Sequence, residues 1–68
     1  MNTIDARGLS CPEPVVLTRQ ALMSKENAYE VLVDNVTSKE NVTRYAEHQG
    51  YKVSVKEADG EFTLSLSK

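Results

Sequence analysis

Hydrophobic and polar positions follow two different periods along the chain. Near the start, Asn2–Ala6 (NTIDA) reads as a short first strand with Ile4 and Ala6 on one face. Arg7-Gly8-Leu9-Ser10 reads as a turn. From Pro12 or Pro14 to about Lys25 the period becomes helical. Pro14, Leu17, Thr18 and Ala21 share a side, with Val15 and Leu22 beside them, while Val16, Gln20 and Met23 lie toward the other face. Tyr29–Asp34 (YEVLVD) is β-branched and almost wholly apolar in its middle, the pattern of a central strand. Asn35 and Val36 turn the chain. Thr37-Ser38-Lys39-Glu40 has the form of a capping box, with Thr37 as N-cap. The helix it opens carries Val42, Tyr45, Ala46 and Gln49 on one stripe and stops at Gly50. Tyr51–Lys56 and Phe62–Ser67 then alternate strictly, and Asp59-Gly60 between them is a two-residue hairpin signal.

The predicted order is β-α-β-α-β-β. Right-handed crossovers give parallel pairs through the first three strands, and the hairpin adds an antiparallel one. The alternation of the last two strands leaves one sheet face wet. The expected fold class is therefore α+β: a two-layer α/β sandwich with a four-stranded mixed sheet and two helices on one face. The predicted core is Ile4, Val15, Leu22, Val31, Val33, Val42, Tyr45, Ala46, Val53, Val55, Leu64 and Leu66. Tyr29, Tyr51 and Phe62 join Tyr45 as core or sheet-face residues, not as a platform for stacking bases.

Length and composition narrow the possibilities. The 68 residues make a single domain over 1–68, standing alone or as one module of a longer protein. Hydrophobic residues at 40% and charged residues at 26% describe an ordinary globular chain. A net charge of -2 lacks the basic footprint that duplex phosphates require, so no direct nucleic acid binding is expected. The longest apolar runs, such as Val15–Leu17 and Val31–Val33, are far short of a membrane span, and MNTIDARG has no signal core. A cytoplasmic protein without membrane association is expected. One cysteine forms no internal disulfide, and Cys11 with the single His48 cannot make a zinc site, so neither metal nor cofactor is expected.

Cys11 is where the chemistry gathers. Proline suits the first turn of a helix, where its missing N–H costs nothing, and it holds the preceding residue extended. In either helix register Cys11 lies within about one turn of a helix N-terminus, whose dipole and free N–H groups favour an anion. An effect of roughly 0.3–2 kcal/mol lifts the thiolate share at neutral pH from a few per cent toward about half. Arg7 adds to this if it folds over the turn, and Glu13 opposes it. The two prolines leave mainly the Glu13 and Val15 N–H groups at the tip. A moderately activated thiol follows. A lone cysteine is also commonly a small buried hydrophobe, but Arg7, Ser10 and Glu13 are polar neighbours on a βα loop. His48, in the last turn of the second helix, lies at the wrong end to form a dyad with it.

The stretch DARGLSCPEPVVLTRQAL, Asp5 to Leu22, resembles the signature of the TusA/SirA/YedF-like sulfur-carrier family: Asp-x-x-Gly-x-x-Cys-Pro-x-Pro leading into the first helix. The similarity continues through VLVDN (Val31–Asn35), the Gly50-Tyr51 step and the final hairpin, and is nearest to the N-terminal module of YedF-like proteins linked with selenium metabolism. The resemblance implies a persulfide carrier in a sulfur-relay or selenium-related pathway, not a free-standing turnover enzyme. Cys11 would accept sulfane sulfur from a cysteine desulfurase or rhodanese-like donor and pass it to a downstream acceptor protein. Asp5, Arg7, Gly8, Pro12, Glu13 and Pro14 would support it as the matching motif. Gly8 would supply a positive φ or a close approach to the helix start, or be a plain turn glycine. Asp5 would accept N–H bonds in the turn or be solvated.

The chain departs from the family pattern at Gln20, where many relatives carry a second base after Arg19. Val16 and Met23 are either a partner contact or ordinary surface. Two other readings stay open. One is a non-catalytic binding or regulatory module in which Cys-Pro-x-Pro is a structural helix cap; the other is an RNA-contacting sandwich, against which the acidity speaks.

Overall fold

A computed structural model describes residues 2–10 and 12–68. The elements are β1 (Asn2–Asp5), α1 (Glu13–Leu22), β2 (Ala28–Val33), α2 (Val36–His48), β3 (Lys52–Ala58) and β4 (Glu61–Ser67). They form one four-stranded mixed sheet with two helices, an α+β fold as expected.

The strand order is β1-β2-β4-β3. β1 and β2 are parallel, with Ile4 opposite Val31. β4 is antiparallel to β2, with Val31 opposite Leu64, and antiparallel to β3, with Val53 opposite Leu66. This corrects the expectation of two parallel pairs, because β4 stands between β2 and β3. The reason is burial. Phe62, Leu64 and Leu66 of β4 are all buried, whereas β3 is exposed along most of its length and carries Lys52 and Lys56. The strand with the stronger apolar face takes the inner place, and the lysine-bearing strand guards the edge.

The core lies between sheet and helices: Leu22, Tyr29, Val31, Val33, Val42, Ala46, Tyr51, Phe62, Leu64 and Leu66, with Ala6 at its rim. Ile4, Val15, Tyr45 and Val53 pack against it while only partly buried. Val55, expected inside, is 43% exposed. It sits on the edge strand, where α2 covers the sheet incompletely.

Helix ends also differ from the sequence pattern. Asn35, not Thr37, caps α2: its Oδ1 accepts the Ser38 N–H at 2.7 Å from an extended backbone. Asn is as good an N-cap as Thr, and its earlier position brings Val36 into the helix. α1 stops at Leu22 instead of Lys25, and Lys25 takes a φ of 56° in the turn that follows. Asp59 and Gly60 both have positive φ, 54° and 77°, the geometry of a tight hairpin turn.

Candidate functional site

Parallel pairing of β1 and β2 places the β1–α1 loop beside the β2–α2 connection. The hairpin between β3 and β4 reaches the same end of the sheet, because Phe62 pairs with Val33. The motif read from the sequence therefore sits where three connections meet.

The loop is held largely through its N–H groups. Ala6 extends the β1–β2 ladder, donating to the Leu32 carbonyl at 2.8 Å. The Arg7 N–H donates to Asp5 Oδ1 at 3.1 Å, and the Gly8 N–H to Asp34 Oδ2 at 2.7 Å. Both carboxylates stand at strand ends, Asp5 closing β1 and Asp34 following β2. Gly8 has a φ of 78°, and among the described residues a Cβ there would meet no atom within 4 Å. Its positive φ gives the turn its conformational freedom, and no close approach to a described residue requires a glycine there. Leu9 is half-buried against the core and anchors the loop from below.

Asp5 accepts bonds and is exposed as well. Arg7 Nε and Nη2 donate to its two oxygens, each at 2.9 Å. These side-chain bonds, with the Arg7 backbone N–H, hold the Asp5 carboxyl down at about 2. The Arg7 guanidinium is raised beyond its ordinary range, first by Asp5 and then by Glu61, whose Oε1 accepts from Nη1 at 3.2 Å. Arg7 thus straps the loop to β4. The guanidinium fork is turned to two carboxylates; the expectation that Arg7 adds to the acidity of the thiol concerns Cys11, which lies outside the described residues.

At the start of α1, Pro12 occupies the N-cap position with φ -98° and ψ 14° and makes no side-chain cap bond. The helix begins at Glu13, between the two expected registers. The Glu13 N–H, expected to remain open at the tip, donates to the Ser10 carbonyl at 2.9 Å. Pro14 is fully buried, and Thr18 Oγ1 bonds back to its carbonyl at 2.9 Å. The second proline therefore belongs to the core, while Arg7, Gly8, Ser10, Pro12 and Glu13 are exposed. Cys11 itself lies outside the described residues.

Asp34 and Glu61 escaped the sequence reading. Asp34 follows an apolar strand directly, at the end where a parallel neighbour's loop must pass, so a signal existed in VLVDN. Glu61 had none, because its role depends on β4 lying next to β2. His48, last residue of α2, is exposed at the opposite end. Tyr29, Tyr51 and Phe62 are buried on the helix side of the sheet, which leaves the open face without those rings. Val16 on α1 is half-buried, and Met23, the residue that caps its C-terminus, is 75% exposed. Among the described residues no helix is long and apolar enough to cross a membrane. Among them, too, no three His, Cys, Asp or Glu side chains gather as metal ligands would.

The family model described as Sulfurtransferase TusA matches residues 2–68. A protein of Methanocaldococcus jannaschii, named as a candidate sulfur carrier protein, is 34% identical over 71 residues, covering 100% of this chain and 95% of its own length. The crystal structure of a SirA-like protein from Desulfitobacterium hafniense superposes with a TM-score of 0.91 at 37% identity, covering 98% of this chain and 96% of that one.

Proposed function

The chain belongs to the TusA sulfurtransferase family, and from that premise we propose that it is a sulfur carrier whose cargo rides on Cys11 as a persulfide. The observation that carries this reading is the loop on which Cys11 falls. It is exposed at Ser10 and Pro12 on either side, held by charge-assisted bonds, and leads straight into α1. A carrier meets its donor and acceptor as proteins, so its sulfur must be reachable by a partner's cysteine and not enclosed in a pocket.

The chemistry needs little more. The Cys11 thiolate attacks the outer sulfur of a donor persulfide; a new S–S bond forms to Cys11, the donor's S–S bond breaks, and the donor's inner sulfur leaves as a thiolate. Sulfane sulfur changes hands with no net oxidation. Delivery repeats the step, with an acceptor thiolate attacking the outer sulfur and Cys11 leaving. Both steps depend on thiolate character and access. A persulfide is more acidic than a thiol and is held as an anion near a helix N-terminus. The partners are a cysteine desulfurase or rhodanese-like donor and a downstream acceptor protein, and the pathway is sulfur relay or selenium-related.

The test is incubation of the reduced protein with a cysteine desulfurase and cysteine, followed by intact-mass analysis. A gain of one sulfur atom, reversed by dithiothreitol and missing in Cys11→Ser, is expected. No gain with desulfurase or rhodanese donors, or a gain unchanged in Cys11→Ser, overturns the proposal and leaves the structural-cap reading of Cys-Pro-x-Pro.

A further inference from the structure

Asp34 lies 26 positions from Gly8 in sequence, yet its Oδ2 takes the Gly8 N–H at 2.7 Å, a short contact for an amide donor. Its Oδ1 accepts from Asn35 Nδ2 at 3.2 Å, and Asn35 Oδ1 in turn caps α2 through the Ser38 N–H. Asn35 supplies the cap, so α2 does not need Asp34 for it. The carboxylate instead ties the loop to the end of β2. Gly8 is also where the backbone enters the left-handed region, so the amide direction there sets the course of the next residues. Three positions further on comes Cys11, and Pro12 then takes the N-cap place of α1.

We propose that Asp34 is a positioning residue for sulfur transfer: by accepting the Gly8 N–H it fixes the path on which the β1–α1 loop brings Cys11 to the start of α1. The inference rests on the carrier reading of Cys11. It differs from two simpler roles for the same side chain. As a bare negative charge near the thiol, Asp34 would disfavour the thiolate, and its removal would make Cys11 more acidic. As a favourable charge before α2, it would affect stability and leave the thiol unchanged in the folded chain. Positioning has the opposite sign from the first and a nonzero effect unlike the second. Without the tether the loop between Gly8 and Pro12 loses its fixed course into α1, and Cys11 is expected to become less acidic.

The experiment is thiol titration of the full chain by alkylation rate against pH, in wild type, Asp34→Ala and Asp34→Asn. Asparagine keeps an acceptor oxygen and removes the charge. In Asp34→Ala the midpoint is expected to rise by about half a pH unit or more. The neutral-pH rate then falls about twofold, because a less populated thiolate is offset partly by its greater nucleophilicity. Asp34→Asn is expected to restore the wild-type midpoint or fall below it. A midpoint in Asp34→Ala that is unchanged or lowered overturns the proposal, as does Asp34→Asn behaving like Asp34→Ala. The wild-type Gly8 amide proton gives a readout independent of any variant's folding: slowed exchange with solvent supports the tether, and exchange at the rate of an open loop refutes it. The sulfur-loading assay keeps the two claims apart. Normal loading with an unmoved thiol in Asp34→Ala sinks the positioning role alone, and no loading with a moved thiol sinks the carrier reading alone.

Discussion

At the end of the sheet where β1 and β2 finish, backbone amides are held by exposed carboxylates; at the end where they begin, the corresponding work is done by buried phenols. The first end has Asp5, Arg7 and Glu61 in one chain of ion pairs, and Asp34 on Gly8. The second has Tyr29 against Tyr51, edge to face with ring centroids 5.8 Å apart. The Tyr29 hydroxyl accepts the Glu26 N–H at 2.9 Å and meets Ser24 Oγ at 2.9 Å, and the Tyr51 hydroxyl donates to the Glu26 carbonyl at 2.8 Å. Buried rings with satisfied hydroxyls stabilise strongly. Exposed ion pairs contribute little to stability and mainly set geometry. The contrast teaches where each task resides. The carrier role proposed for the first end calls for a loop that other proteins can reach, and the polar bonds that shape it tolerate water, while the aromatic end carries the stability.

Substitutions at the two ends should sharpen this contrast, and the largest effect belongs to the aromatic end. Tyr29→Ala removes a ring that is 1% exposed and is expected to cost about 3–5 kcal/mol. That approaches the whole stability of so small a domain, and urea unfolding followed by circular dichroism should show a largely unfolded chain. Tyr51→Phe leaves the Glu26 carbonyl without its phenol donor and is expected to cost about 1–2 kcal/mol in the same measurement.

Tyr51 also gives the aromatic end a pH signature. Its phenol is pushed above the ordinary 10.0, by burial first and then by Tyr29 and Glu26. The unfolded chain therefore ionises before the folded one. This contribution is complete below about pH 10 and is lost as pH rises through the folded value. Tyr51→Phe should flatten that alkaline decline.

Gly8→Ala comes next, at about 1 kcal/mol, from the positive φ, since a Cβ there meets no described residue within 4 Å. The smallest effect is Arg7→Gln, which should leave the urea midpoint essentially unmoved. Its mark is spectroscopic: with only the backbone N–H at position 7 still bonded, the Asp5 carboxyl should move up from about 2 part of the way toward its ordinary 3.8 in a pH series of NMR spectra. In the wild type the Asp5 contribution is present above 3.8 and disappears as pH falls through about 2. A large loss of stability in Arg7→Gln, or a trivial one in Tyr29→Ala, would break the comparison.

The same contrast explains what could be read from the chain beforehand. Periodicity located all six elements and most of the core, because Val31, Val33, Leu64 and Leu66 announce their faces by alternation. It did not place β4 between β2 and β3, since strand order is decided by relative burial across the whole sheet and not within a strand. Val55 shows the cost: its alternation is regular, but its strand lies at the edge. At the site, Asp5 and Arg7 were legible as a local motif, with contacts two residues apart, and Gly8 as a turn residue. Asp34 and Glu61 were not, because they act across 26 and 54 positions and owe their place to tertiary pairing. Pro14, read both as a motif residue and on one helix side with Leu17, Thr18 and Ala21, is packed into the core, one turn before Thr18.

The most direct measurement is a two-stage transfer followed by intact mass. The protein is loaded with sulfur from a persulfide donor, separated from it, and mixed with an excess of an acceptor thiol. The account predicts one sulfur atom gained in the first stage and surrendered in the second, with neither change in Cys11→Ser. Sulfur that never arrives, or that stays bound when Cys11 is replaced, would contradict it.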